Sequence, residues 1–166
     1  TPSGYSRYTT WVYDNYLNVP NDTMSALLAL VSDIDFSNMT TDERISAIAA
    51  FVKNTAVYDT NYDESLDSSE DIAVDFLTTY KVGSSKHFAI ATTMLYRALG
   101  VPARYVEGYK VDAVANQNTE VKDKYHWVEV FVDSYGWMQI EAALDEKIDI
   151  FVKPKDDSKI YDGTPL

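Results

Sequence analysis

The chain has no cysteine, only six glycines and five prolines, and only 14 basic side chains against 26 acidic ones in 166 residues. Without cysteine, a disulfide scaffold, thiolate zinc sites and a cysteine nucleophile are excluded for the chain as it stands. Sparse glycine and proline leave no linker, and no internal repeat or low-complexity tract divides the sequence, so one domain over residues 1–166 is expected. The basic deficit gives a formal charge of −12 and a pI near 4.4, which opposes a phosphate backbone and makes nucleic acid a poor partner. Long apolar runs are missing as well. Stretches such as Ala26 to Val31 fall far short of the roughly 20 residues a membrane helix needs, so no membrane segment is expected. The ends, Thr1-Pro2-Ser3-Gly4 and Gly163-Thr164-Pro165-Leu166, read as those of a piece cut from something longer.

What is present is a hydrophobic content of 46%, enough for a core that needs neither metal nor disulfide. A helix is expected after Pro20, capped by Asn21, Asp22 or Thr23, with Leu27, Leu28 and Val31 as its apolar stripe. Thr40 and Glu43 form a capping box ahead of a helix whose Ile45, Ile48, Ala49 and Val52 share one face through Lys53. Asp59 to Asp71 turns polar and acidic, and Ile72 to Tyr80 resumes a helical pattern with Phe76 and Leu77 inward. Behind Gly83-Ser84-Ser85 lies the strongest helix, with Phe88, Ala91, Thr92, Leu95, Ala98 and Leu99 on one face and Gly100 and Pro102 as its stop. Three alternating runs follow, Ala103 to Val111, Tyr125 to Asp133 and Trp137 to Glu141, the last two joined by a turn at Asp133-Ser134-Tyr135-Gly136. Helices first and strands second predict an α+β fold, with the buried helix packed on an antiparallel sheet. Trp127 and Trp137 are expected to brace that sheet against the helix of Phe88 and Leu95.

Two ordered segments carry a resemblance. Gly83-Ser84-Ser85-Lys86-His87-Phe88-Ala89 is followed by Arg97-Ala98-Leu99-Gly100-Val101-Pro102-Ala103-Arg104-Tyr105-Val106-Glu107-Gly108-Tyr109. Together they resemble the Gly-Tyr-Cys-x-x-Phe-Ala and Arg-Ala-x-Gly-Ile-Pro-Ala-Arg-x-Val-x-Gly-Tyr motifs of the bacterial transglutaminase-like family. Trp127-Val128-Glu129-Val130 and Gly136-Trp137 look like its His-Ala-Trp-Val-Glu-Val and Gly-Trp-x-x-x-Asp-Pro-Thr elements, and Tyr16-Leu17-Asn18-Val19-Pro20 extends the likeness upstream. The resemblance implies a papain-like fold with a cysteine at the start of the buried helix and a histidine and an aspartate on neighbouring strands. Motif counting puts the cysteine position on Ser85, the histidine position on Tyr125 and the aspartate position on Glu141.

All three reacting groups thus differ. A serine hydroxyl reacts only if a base takes its proton during attack, and a neutral tyrosine is a poor acceptor for it. His87 lies two residues past Ser85 on a helix and points elsewhere, which suits a packed or capping histidine. His126 is one residue out of phase with Tyr125, so on a regular strand it is expected on the other face unless a bulge turns it back.

The leading expectation is therefore a transglutaminase-like domain that has lost catalysis and serves as a structural module or binds a peptide, a protein or a cell-wall ligand at an extracellular or cell-surface location. The rival is a serine acyltransferase or peptidase using Ser85 and a displaced His126, with Glu129 or Glu141 orienting the ring. A third is a cysteine enzyme in which serine has replaced the thiol at position 85. The thirteen tyrosines suit packing or an aromatic-lined groove, and Arg97 and Arg104 suit structural ion pairs and packing. No cofactor is implied. Asp59, Asn61, Asp63, Ser65, Asp67 and Glu70 do fall at calcium-loop positions, with Glu64 where the loop wants glycine, so an acidic solvated loop is the competing reading.

Overall fold

The computed structural model describes residues 4–64, 69–109 and 124–143. Three helices come first: α1 (Gly4–Asn15), α2 (Asn21–Leu30) and α3 (Thr41–Thr55). A short strand β1 (Val57–Tyr58) follows, then α4 (Ile72–Asp75), which runs on as a π-helical turn at Phe76–Tyr80. After β2 (Val82–Gly83) come the central helix α5 (Ser85–Ala98) and three strands, β3 (Ala103–Tyr109), β4 (Lys124–Val132) and β5 (Gly136–Ile140). The strands form an antiparallel sheet in the order β3-β4-β5, and β1 and β2 add a small parallel pair. The fold is thus α+β, with the helix-first, strand-second order realised as one helix on one sheet.

Local signals explain most elements. The Thr40 hydroxyl accepts the Glu43 N–H at 3.3 Å, and the Glu43 carboxylate accepts the Thr40 N–H at 2.8 Å, closing the capping box that starts α3. At α2 the structure corrects the expectation. Pro20 occupies the cap position with no side-chain cap, and Thr23 instead donates to Asp71, which itself caps α4 by accepting the Val74 N–H. Leu28 faces outward and Leu27 is fully buried, because only one side of α2 meets α5.

The core lies between α3, α4, α5 and one face of the sheet. Ile48, Val52, Ala91, Leu95, Val128, Val130 and Ile140 are completely buried there. Tyr96 is buried to the same extent, and its hydroxyl donates to the Ile45 carbonyl at 2.9 Å, tying α5 to α3. Burial pushes that phenol far above its ordinary range, so it stays a neutral donor.

The opposite face of the sheet is covered by α1. Trp11, Tyr8, Phe131, Trp137 and Tyr16 form a closed ring of aromatic contacts with centroids 4.8–5.9 Å apart. The Trp137 indole donates to the Tyr8 hydroxyl at 2.8 Å, and the Arg104 guanidinium lies 4.2 Å over the Trp137 ring. This corrects the expected role of the tryptophans. Trp137 packs against α1, and Trp127 lies over Gly108, where a Cβ would come within 2.6 Å of its ring. Neither braces the sheet against α5, because β4 turns Val128 and Val130 to that helix instead.

Phe131 is the buried centre of this second layer, so Phe131→Ala should cost about 3–5 kcal/mol in denaturant unfolding at an unchanged m-value. Trp127→Ala, at a half-buried position, should cost clearly less; the reverse order would mean that α1 does not cover this face.

Candidate active site

Ser85 is the first residue of α5, and the way that helix begins fixes where its hydroxyl stands. Ser84 caps the helix in an extended conformation, and the ring Nδ1 of His87 accepts the Ser84 N–H at 3.2 Å. His87 is buried, edge-on to Tyr62 at 4.7 Å and against Phe76 at 5.6 Å, so it locks the helix start and does not reach Ser85 chemically. Gly83 is required for this arrangement, because a Cβ there would lie 2.7 Å from the His87 ring. The Ser84 hydroxyl donates to Glu64 at 2.9 Å and Lys86 pairs with the same carboxylate at 3.1 Å, pinning the preceding loop to the helix.

The histidine beside Ser85 comes from β4. His126 Nδ1 lies 3.1 Å from Ser85 Oγ, and the His126 backbone N–H donates to the same oxygen at 3.3 Å. This corrects the strand phase read from the sequence. The β3–β4 ladder runs without a bulge from Ala103↔Val130 to Tyr109↔Lys124, and His126 shares the inner face with Val128 and Val130. Tyr125, the position that motif counting gives the histidine, alternates to the outer face with Trp127 and Glu129. Ser85 therefore meets a histidine that counting from the motif's tryptophan had turned away.

Around the ring, Tyr105 stacks on His126 with centroids 5.6 Å apart, and His126 Nε2 faces a Glu107 carboxylate oxygen at 3.5 Å. The other Glu107 oxygen accepts from Lys124 at 2.8 Å, and that ammonium is the chief reason the Glu107 carboxyl sits below its usual range. For the Ser85 hydroxyl to donate to Nδ1, the neutral ring must carry its proton on Nε2, on the side of Glu107.

Neither carboxylate expected to orient the ring hydrogen-bonds to it. Glu129 lies on the outer face in an ion pair with Arg104, Nε to Oε2 at 2.7 Å. Glu141, at the motif's aspartate position just past β5, accepts the Ala143 N–H at 3.2 Å and helps line the space beside Ser85 and His126. Both Ser85 and His126 are buried, at 5% and 8% exposure, and the space between them, Glu141 and Ala143 is too small to admit a water molecule. Glu107 was missed in the sequence because its partner is set by strand register, and no local pattern signals that. Arg97 is structural as expected, donating to the carbonyls of Ala103 and Asn18.

In the acidic loop, the Asp59 carboxylate accepts the Asn61 N–H at 2.8 Å while its own N–H continues the β1–β2 pairing onto Gly83. Ser65 and Asp67 lie outside the described residues. Asp63 and Glu70 join no cluster, since no group of three or more His, Asp or Glu side chains among the described residues gathers as a metal site would.

A buried helix packed on an antiparallel sheet, with Ser85 at the helix start and His126 beside it on β4, gives this chain a papain-like α+β core. It belongs to the transglutaminase-like superfamily, whose family model matches residues 29–142. It is 27% identical over 141 residues to "Uncharacterized protein YebA" of Bacillus subtilis, covering 78% of this chain and 19% of that protein. The periplasmic domain of TgpA from Pseudomonas aeruginosa superposes with a TM-score of 0.64 at 21% identity, over 80% of this chain and 47% of that one. A Cytophaga hutchinsonii protein described as a possible cysteine protease superposes at 0.50, over 77% and 44% of the two chains. The chain thus spans about half of these structures and a fifth of the curated relative. Among the described residues no helix is long and apolar enough to cross a membrane.

Two measurements test the surroundings of the site. With Glu64 at position six of the acidic loop and its carboxylate committed to Ser84 and Lys86, calorimetric titration with millimolar calcium should give no heat; heat abolished by Asp63→Ala with Glu70→Ala would establish the ion site. Partial burial pushes the Glu64 carboxyl up, but Ser84, Lys86 and His87 together outweigh it and hold the group below its usual value of 4.5. A carboxyl lowered on folding stabilises above its unfolded value and loses that contribution as pH falls through the folded one. Glu64→Gln should therefore cost up to about 1 kcal/mol at pH 7, and the difference should shrink as pH falls below the ordinary carboxylate range and vanish once the folded-state carboxyl is protonated.

Proposed function

We propose that the domain is a serine-centred acyl-transfer enzyme acting on peptide amides, with Ser85 as nucleophile and His126 as general base. The observation that carries this reading is the 3.1 Å contact between Ser85 Oγ and His126 Nδ1 at the start of a buried helix. As Oγ attacks an amide carbonyl, its proton passes to Nδ1, and the helix N-terminus favours the negative charge that develops on the carbonyl oxygen. His126 then returns the proton to the departing amine, leaving an acyl group on Ser85 Oγ. Water or a second amine, deprotonated in turn by Nδ1, takes that acyl group and regenerates the hydroxyl. The chemistry uses no cofactor.

Membership of the superfamily supports a peptide, protein or cell-wall amide as the substrate. The likeness to a periplasmic domain supports a location outside the cytoplasm.

One observation favours a second reading, in which the domain binds such a ligand without turnover. The space beside Ser85, His126, Glu141 and Ala143 is too small to hold a water molecule, so a substrate is not accommodated there without rearrangement. A single experiment separates the two. Incubation with a fluorophosphonate should give one covalent adduct on Ser85 by mass spectrometry, absent in Ser85→Ala and reduced about 100-fold or more in rate in His126→Ala. No adduct on the folded protein would remove the enzyme and leave the binding module.

A further inference from the structure

We infer that Glu107, on β3, is the positioning carboxylate of the Ser85–His126 pair, taking the place that the family motif gives to position 141 on the far side of β4. The inference rests on the acyl-transfer reading and names the residue that sets its base.

Geometry makes the assignment. Glu107 is the cross-strand partner of His126 in the β3–β4 ladder, so the two side chains leave the same face of neighbouring strands. Its Oε2 stands 3.5 Å from Nε2, the nitrogen that must hold the proton when Nδ1 receives one from Ser85. A carboxylate there holds the useful tautomer and stabilises the imidazolium that forms during attack, a stabilisation moderated by solvent because Glu107 is half-exposed. Glu141 is placed otherwise: its carboxylate accepts the Ala143 N–H, and the residue lines the space beside Ser85 and His126 without a hydrogen bond to the ring. Lys124, held at 2.8 Å by the other oxygen of Glu107, competes with the imidazolium for the same carboxylate.

The charged or titratable groups facing His126 are thus Glu107 and Tyr105 from β3, Lys124 from β4 itself, Ser85 from α5 and Glu141 after β5. Glu64 adds a longer-range field that reaches Tyr105 and Lys124. Two of these, Glu107 and Lys124, act on the ring in opposite directions, which gives the proposal a signature that a structural role lacks.

The test uses ring-nitrogen NMR titration of the folded domain. The chain has two histidines, so His126→Gln identifies the signals. Removing the carboxylate charge in Glu107→Gln should lower the pH midpoint of the His126 ring titration by roughly half a unit to one unit, the range for a partly screened neighbouring charge. Lys124→Met, which removes a competing positive charge, should raise it. Glu141→Gln should move it less than Glu107→Gln does. Fluorophosphonate labelling of Ser85 should slow roughly five- to tenfold in Glu107→Gln and recover in part in Glu107→Asp.

If the midpoint stays in place in Glu107→Gln, or moves further in Glu141→Gln, the assignment is overturned even when wild-type Ser85 is labelled. If the midpoints move as expected while wild-type Ser85 is never labelled, the positioning contact stands and the acyl-transfer reading fails. Should Glu107→Gln fail to fold, Glu107→Thr, a strand-compatible change at a half-exposed side chain, takes its place: a lowered midpoint supports the contact, and an unchanged or raised one overturns it.

Discussion

The packing of α5 against the Val128 and Val130 side of β4 sets the phase of everything else in the sheet. Strand side chains alternate, so once those two valines are buried under the helix, His126 must share their face and Tyr125, Trp127 and Glu129 must take the other. The same contact places the start of α5 over the N-terminal half of β4, which is why Ser85 and His126 meet across 41 positions of sequence. Turning the strand over to bring Tyr125 inward would exchange Val128 and Val130 for Trp127 and Glu129 in the core. That would bury a carboxylate and a bulky indole where two completely buried valines now fit.

The site inherits its character from this packing. Ser85 and His126 are held from several directions: by the helix cap at Ser84, by the His87 ring that occupies the space over Gly83, by the stack of Tyr105, and by the backbone N–H of His126 itself. Such over-determination fixes the geometry of the pair in advance, which is what the proposed acyl transfer requires of it. It also leaves both side chains buried beside a space smaller than a water molecule, so access and order oppose each other here.

The outer layer solves a separate problem. A sheet with one face on α5 leaves Phe131 and Trp137 to be covered on the other, which Tyr8 and Trp11 of α1 and Tyr16 just after it do. Of the tyrosines near the start of the chain, Tyr8 and Tyr16 thus belong to the second wall of the fold, while Tyr5 and Tyr13 are exposed. The Arg104–Glu129 pair and the Arg104 stack on Trp137 finish this face with charge-assisted contacts that keep the guanidinium partly in solvent.

Local sequence was enough to determine the elements whose causes are local. The capping box at Thr40, the helical period through Val52, the long helix behind Ser85, the strand alternation after Pro102 and the ordered motifs of the superfamily all follow from neighbours a few residues apart. They carried the α+β class and the position of Ser85. The partners of Ser85 were decided only in three dimensions. Which face of β4 turns inward depends on whether the helix buries the valines or the tryptophan, and motif spacing alone favoured the wrong one. Likewise, Glu107 and His126 become neighbours through the register of two strands joined by a long connection. A period of two makes a one-residue difference in phase reverse every side chain, so the histidine beside Ser85 and the carboxylate facing it were fixed by packing energy summed over the whole sheet.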